Sequence, residues 1–207
     1  MPERPARGPF VATASRICAA LALVAATILL AACDTRPAFR STDITGVDYG
    51  RTLELSDPRG RVRHLEDFRG KAVVLFFGFT QCPDVCPTTL AEIAGAVKKL
   101  GADADRVQVL FVTVDPERDT PKLLADYVSA FDPRFLALRG DLPATQRVAK
   151  DFKISFAKRE QGAGYTVDHS PQSYVIDTQG RLRLLVRHDR IASDLPEDLK
   201  SLLREKP

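Results

Sequence analysis

The stretch KAVVLFFGFTQCPDVCPTTL, residues 71–90, places an apolar segment directly before two cysteines and a helix-forming segment. Its first nine residues, 71–79, are almost continuously apolar, which predicts a central strand buried on both faces. Pro87 suits the first position of a helix. Apolar residues then recur at helical spacing at Leu90, Ile93, Ala94, Val97 and Leu100. The stretch therefore predicts a buried strand, a cysteine-bearing loop and an amphipathic helix.

Strand and helix patterns alternate along the rest of the chain. Further strands are predicted at 107–114, about 135–138, 173–177 and 182–187, the last two forming a hairpin with Gly180 in its turn. Further helices are predicted from Thr120-Pro121 to about 131, from about 143 to 152, and from near Pro196. An early hairpin is predicted at 52–55 and 62–65, around the turn Asp57-Pro58-Arg59-Gly60. This order predicts one three-layer α/β domain.

The N-terminus has the pattern of an export signal. Three arginines precede an uncharged apolar run at 17–32, which is shorter than the ~20 residues of a membrane-spanning helix. The run ends in Leu30-Ala31-Ala32-Cys33, which resembles the cleavage site of a bacterial lipoprotein. We therefore expect 1–32 to be a signal peptide, with Cys33 lipidated, and an uncleaved anchor helix is the alternative. Asp34 favours retention at the inner membrane, with the domain facing the periplasm.

Composition narrows the range of functions. Residues 33–47 are polar and aperiodic and predict a membrane-proximal linker, so that the folded domain would span 48–207. The 207-residue chain carries 30 Lys and Arg against 27 Asp and Glu, and three of those arginines lie in the leader, which argues against a nucleic-acid-binding surface. Of its four cysteines, Cys18 lies in the leader and Cys33 at its end. Cys82 and Cys86 remain, and in an exported protein they predict a disulfide, a redox couple or a metal site.

The position of the cysteine pair favours ionised thiols. The positive end of the following helix stabilises thiolates, and Pro83 and Pro87 disfavour helical geometry at Cys82 and Cys86, which predicts that both lie on a loop. The spacing is one residue longer than the C-x-x-C of thioredoxin-type enzymes. The longer loop still permits a disulfide, and it also lets two sulfurs spread around a metal. Two thiolates are too few for most metals, with low-coordinate Cu(I) as the exception.

A third metal ligand would be a histidine, and the chain has three. His64 and His188 lie among charged residues and are predicted to be on the surface. His169 lies just before the predicted strand at 173–177, in a loop that would face the cysteine loop in a thioredoxin-like sheet. Asp168 beside it is a candidate hydrogen-bond acceptor for its ring.

Three motifs, in order, resemble one known family. CPDVCPTTL follows FFGFT, VTVDPERDTP occupies 112–121, and Asp168-His169-Ser170 precedes Tyr174-Val-Ile-Asp177. From about residue 42 to its end, the chain resembles the Sco/SenC family of copper-binding assembly proteins. The resemblance implies a thioredoxin-like fold with an added N-terminal β-hairpin, and a membrane tether. The cleavable lipoprotein signal departs from the anchor helix that is more common in that family.

The resemblance also implies a ligand set and partners. Copper would be held by Cys82, Cys86 and His169, as Cu(I) and, with additional N or O ligands, as Cu(II). Asp115 matches an acidic position close to the metal loop, where it would support the site or contact a partner, or else form a strand-end turn and helix cap. The implied partners are the copper-site subunit of cytochrome c oxidase, other copper chaperones and thiol–disulfide reductases. Pro171 lies near where thioredoxin folds place a cis-proline, and either isomer is compatible with the pattern.

The leading hypothesis is a metallochaperone, without enzymatic activity as its main role, that supports assembly of the binuclear copper site of cytochrome c oxidase. The alternative is a membrane-tethered thiol–disulfide reductase that keeps the oxidase copper-site cysteines reduced. Oxidation of the pair would remove both sulfur ligands, so redox state would gate copper binding. The chain lacks the motif expected of a peroxidase on the same fold. A purely structural disulfide is disfavoured, because so short a loop constrains the unfolded chain little.

Overall fold

The computed structural model describes residues 38–162 and 164–205. Its folded unit begins at Phe39. The strands are β1 Thr42–Asp43, β2 Leu55–Ser56, β3 Val62–Arg63, β4 Ala72–Gly78, β5 Val107–Thr113, β6 Leu136–Leu138, β7 Phe156–Gln161, β8 Gly164–His169, β9 Ser173–Ile176 and β10 Leu182–Val186. The α-helices are α1 Val85–Lys98, α2 Pro121–Ser129, α3 Leu142–Asp151 and α4 Ile191–Arg204. Short 3-10 helices occupy Leu65–Phe68, Gly101–Arg106 and His188–Arg190.

A six-stranded mixed sheet forms the centre, in the order β1-β10-β9-β4-β5-β6. β4 pairs in parallel with β5 and antiparallel with β9, and β5 pairs in parallel with β6. Every residue of β4 is buried, as its apolar run predicts. Helix α1 packs beside α4, and α2 packs on β6. The predicted mixed α/β domain is confirmed, and the cysteine loop leaves the sheet at the end of its central strand β4.

The N-terminal boundary of the folded unit lies earlier than predicted. β1 pairs antiparallel with β10 through Thr42 and Leu185, inside the stretch expected to be a linker. The Arg40 and Ser41 amides donate to the buried Asp198 carboxylate at 2.7 and 3.0 Å. A two-residue strand is too short to show any periodicity, which is why the sequence did not predict it. Residues 1–37, with the proposed signal peptide and Cys33, lie outside the described residues.

Two helices begin earlier than their prolines suggest. Helix α1 begins at Val85, so Cys86 lies in its first turn and not on a loop, and Pro87 is tolerated because first-turn amides have no partner within the helix. Helix α4 begins at Ile191 and contains Pro196. The missing amide of Pro196 leaves the Ala192 carbonyl without its helical donor, and Lys99 Nζ donates to that oxygen at 3.4 Å.

The hairpins differ most from expectation. The early hairpin around Asp57-Pro58-Arg59-Gly60 is reduced to the two-residue strands β2 and β3. A longer hairpin, β7–β8, was not predicted and carries His169 at its end, opposite Phe156. All of β7 except Phe156 is exposed, so its sequence shows no apolar alternation. Among the described residues no peptide bond is cis, Pro171 included, and none of the helices there is long and apolar enough to cross a membrane.

Candidate metal centre

Cys82, Cys86 and His169 converge from three elements. Cys82 lies in the loop after β4, Cys86 in the first turn of α1, and His169 at the end of β8. Their two Sγ atoms and one imidazole nitrogen lie within 4.8 Å of one another. His169 Nε2 is 3.4 Å from Cys86 Sγ, and the Cys86 amide donates to Cys82 Sγ at 3.4 Å. Cys86 is fully buried, whereas Cys82 and His169 are half-buried.

The ring of His169 is oriented by a backbone carbonyl and two aromatic side chains. Nδ1 lies 3.0 Å from the Ser170 carbonyl oxygen. Since a carbonyl oxygen only accepts, Nδ1 carries the proton in this bond, and Nε2 presents its lone pair to the sulfurs. The rings of Phe76 and Phe79 meet the imidazole edge-on at centroid distances of 6.2 and 5.9 Å. This is the tautomer that a metal ligand requires.

The two thiols differ in ionisation. The hydrogen bond from the Cys86 thiol, with a smaller contribution from the Cys86 amide, lowers the pKa of Cys82 to about 4 even though burial opposes it. The same interaction with Cys82, together with burial, raises the pKa of Cys86. The metal-free pair therefore holds one thiolate on the accessible Cys82 and one protonated thiol on the buried Cys86. The accessible sulfur is therefore the more reactive of the two.

Gly78 lets Cys86 approach the sheet. A Cβ at this position would lie 2.9 Å from Cys86 Sγ and 2.8 Å from the Phe111 ring. Any larger residue would force the thiol or the ring to move. Steric crowding thus explains why a glycine stands at position 78, and the sequence alone did not reveal this.

Asp115 and Asp168, both proposed to support the site, have different surroundings. Asp115 is buried and accepts from Arg118 Nε and, at 2.9 Å, from Tyr165 Oη. Asp168 pairs with Arg159 at 2.8 Å on the exposed face of the hairpin, so the Ser170 carbonyl, and not Asp168, faces His169 Nδ1. Neighbouring residues of a strand point to opposite faces, which separates Asp168 from the imidazole.

Asp119 is a site-shaping residue whose partners the sequence did not predict. Its buried carboxylate accepts from Thr80 Oγ1 at 2.6 Å, from the Thr80 amide at 3.2 Å and from Thr113 Oγ1 at 2.5 Å. Burial raises the pKa of Asp119. Thr80 stands two residues before Cys82, so Asp119 fixes the start of the cysteine loop. The polar residues of VTVDPERDTP could have indicated a role near the site. Nothing in the sequence, however, indicates that Asp119 contacts a loop 39 residues away.

The other histidines lie apart from this centre. His64 and His188 are exposed, as predicted. Within the described part of the chain, Cys82, Cys86 and His169 form the one group of three or more His, Cys, Asp or Glu side chains arranged to hold a metal. Two sulfurs and one imidazole suit a soft ion of low coordination number.

The chain is similar to proteins of one family along most of its length. The SCO1/SenC family model matches residues 42–204. The copper-bound structure of Bradyrhizobium japonicum ScoI is 37% identical, with a TM-score of 0.67, over 73% of this chain and 98% of that one. Apo Sco1 of Thermus thermophilus is 38% identical, with a TM-score of 0.72, over 82% and 100% of the two chains.

A curated relative agrees with this assignment. The mitochondrial SCO2 homologue of Bos taurus is 38% identical over 152 residues, which are 72% of this chain and 57% of the bovine protein. The chain thus spans little more than half of that relative. The family-model match, these similarities and the thioredoxin-like fold show that the chain belongs to the SCO1/SenC family.

Proposed function

We propose that this protein is a copper metallochaperone that carries copper on Cys82, Cys86 and His169 and supports assembly of the binuclear copper site of cytochrome c oxidase. One observation carries the proposal, namely that the two sulfurs and an imidazole nitrogen lie within 4.8 Å of one another. Thiolates select Cu(I), and a site with three donors leaves room for an incoming ligand from a recipient. Copper is the cargo, so a site that is firm yet open to exchange suits delivery.

Metal titration of the reduced protein tests the ligand set. We expect one copper per chain, and we expect His169→Ala to bind copper at least about tenfold more weakly while keeping its fold. His188→Ala, which removes an exposed histidine, is the matched control and should bind as the unaltered protein does. Thiolate-to-Cu(II) charge-transfer bands should vanish in Cys82→Ser and Cys86→Ser. Undiminished affinity in His169→Ala would contradict the three-ligand site.

The ionisation of the pair favours a second candidate function, thiol–disulfide reduction. The Cys82 thiolate would attack a partner disulfide, forming a mixed disulfide and releasing one partner thiolate. Cys86, once deprotonated, would attack Cys82 Sγ and release the second partner thiolate, so that two electrons pass to the partner and a Cys82–Cys86 disulfide remains. A dithiol donor would restore the pair. A His169→Ala variant that keeps reductase activity but loses copper would separate the two functions.

The proposed site of action is the periplasmic face of a bacterial inner membrane. The lipoprotein-like signal at 1–32 and Cys33 support a lipid anchor, and attachment by two or three acyl chains would be stable. The partners would be the copper-site subunit of the oxidase and other copper chaperones or thiol–disulfide reductases. Labelling of cells with a fatty-acid analogue tests the anchor. Label should be lost in Cys33→Ala and kept in Cys18→Ala, whereas an uncleaved anchor helix would give no Cys33-dependent label.

A further inference from the structure

Arg118 lies between the cysteine loop and the hairpin that carries His169. Its Nη1 donates to Gln81 Oε1 at 3.1 Å and to the Tyr165 carbonyl oxygen at 2.7 Å. Gln81 immediately precedes Cys82, and Tyr165 lies on β8, the strand that ends at His169. One guanidinium group therefore bonds to two of the three segments that would supply metal ligands, the Cys82 loop and the His169 hairpin.

Aromatic rings and a buried carboxylate hold this guanidinium in place. Its central carbon lies 3.8 Å from the centre of the Tyr165 ring and 5.9 Å from that of Phe79, the ring that also meets His169. Nε donates to Asp115, which also accepts from the Tyr165 hydroxyl. The side chain of Asp115 is 0% exposed and that of Arg118 is 23% exposed. Charge-assisted bonds in such a sheltered place are stronger than those at the surface.

The ion pairs of the hairpin are more exposed than the Arg118 contacts, and Val167 of β8 packs into the hydrophobic core. Lys158 of β7 pairs with Glu117, but these side chains are 43% and 53% exposed, and pairs of that kind contribute little. The Arg159–Asp168 pair joins β7 to β8 and does not reach the rest of the domain. Besides the Cys86–His169 contact of the site itself, the Arg118 contacts are therefore a sheltered polar connection from β8 to the cysteine loop.

We propose that Arg118 is a positioning residue that clamps the Cys82 loop to the His169 hairpin and so preorganises the three donor atoms before a metal arrives. A site ordered in advance loses less conformational freedom on binding, which raises affinity. Lysine cannot replace it, since a single ammonium lacks the planar fork that bonds two segments while stacking on Tyr165. The consequence for copper affinity rests on the proposed function. The ordering of the hairpin in the metal-free protein does not depend on that function.

Amide hydrogen exchange on the reduced, metal-free full chain tests the clamp without copper. In Arg118→Met, amides of β8 and of residues 80–82 should exchange about tenfold faster, while those of β4 and β5 stay unchanged. Arg118→Lys should restore only part of the protection. Arg159→Met is the matched control, because Arg159 lies in the hairpin and pairs with Asp168 without touching the cysteine loop. In that variant β8 and 80–82 should stay protected. Gln81→Ala removes only the contact with the cysteine loop, so amide exchange should become faster at 80–82 and stay unchanged in β8. This variant provides the test if Arg118→Met does not fold.

Copper competition titrations supply the second measurement. Arg118→Met should bind about tenfold more weakly, the effect typical of losing a group that orients ligands, and Arg159→Met should bind normally. Unchanged exchange at β8 and 80–82, a uniform increase over the whole fold, or faster local exchange with undiminished affinity would each overturn the clamp. Absence of copper binding by the unaltered protein would instead defeat the proposed function, and the exchange result would still decide whether Arg118 orders the site.

Discussion

At the scale of single residues, two identical side chains four positions apart acquire different chemistry. Cys82 is half-buried and accepts hydrogen bonds, whereas Cys86 is 0% exposed and donates to it. One thiol becomes the thiolate and the other its proton donor. For copper binding, the second proton must leave as the metal arrives, so we expect binding to release protons.

The pH dependence of thiol alkylation tests this asymmetry. Since the pKa of Cys82 is about 4, the thiolate exists above that pH and is lost below it. The rate of iodoacetamide modification of reduced, metal-free protein should therefore rise with pH through about 4, with the label on Cys82. Cys86→Ala removes the main stabilising donor and should move the midpoint upward. A midpoint near the usual 9.0 in the unaltered protein would contradict the asymmetry.

At the scale of elements, the site depends more on the contacts that hold its loops in place than on the helices and strands themselves. β4 and α1 deliver the cysteines, but the loop between them is fixed by Asp119, which comes from the turn before α2. His169 arrives on a hairpin that is mostly exposed. The Cys82 loop and the His169 hairpin are therefore attached to the core by a few buried polar contacts in addition to apolar packing.

Asp119→Ala tests the attachment of the cysteine loop. Losing the carboxylate leaves the buried Thr113 hydroxyl and the Thr80 amide without their acceptor, which should lower the free energy of unfolding by about 2–3 kcal/mol. Asp126→Ala is the control, because Asp126 is 64% exposed and pairs with the exposed Lys122. Asp126→Ala should lower the free energy of unfolding by less than about 0.5 kcal/mol. Urea denaturation of the reduced, metal-free protein measures both, and equal losses would refute the role of Asp119.

At the scale of the whole molecule, metal binding and redox state should together set stability. A ligand that binds only the native state stabilises it by mass action, by about 2.7 kcal/mol at one hundred times the dissociation constant. The unfolded chain would no longer bring residues 82–86 and 169 together, so copper should favour the folded form.

Thermal unfolding with and without Cu(I) tests this coupling. The melting temperature of the reduced protein should rise by about 5–10 °C at saturating copper, given the size of the chain. The protein oxidised to a Cys82–Cys86 disulfide should show no rise, because both sulfur ligands are then unavailable. A comparable copper shift in the oxidised protein would indicate binding elsewhere.

The sequence alone determined the central elements and the chemistry available at the site. The apolar run at 71–79 predicted β4, because a strand buried on both faces must be apolar throughout. The spacing of Cys82 and Cys86 left a disulfide, a redox couple or a metal site open, and the resemblance of three motifs to a known family then implied the donor set with His169. Local patterns carry this information, since strand burial and ligand type depend on the residues themselves.

Only the tertiary structure decided how the donors are arranged and held. β1 and the β7–β8 hairpin were missed, because short or exposed strands show no apolar alternation. Asp168 turned out to face away from the imidazole, while Arg118 and Asp119 proved to reach across to the cysteine loop. Those contacts join residues up to 39 positions apart, and no local pattern encodes such a pairing, because it follows from how the loops pack at one end of the sheet.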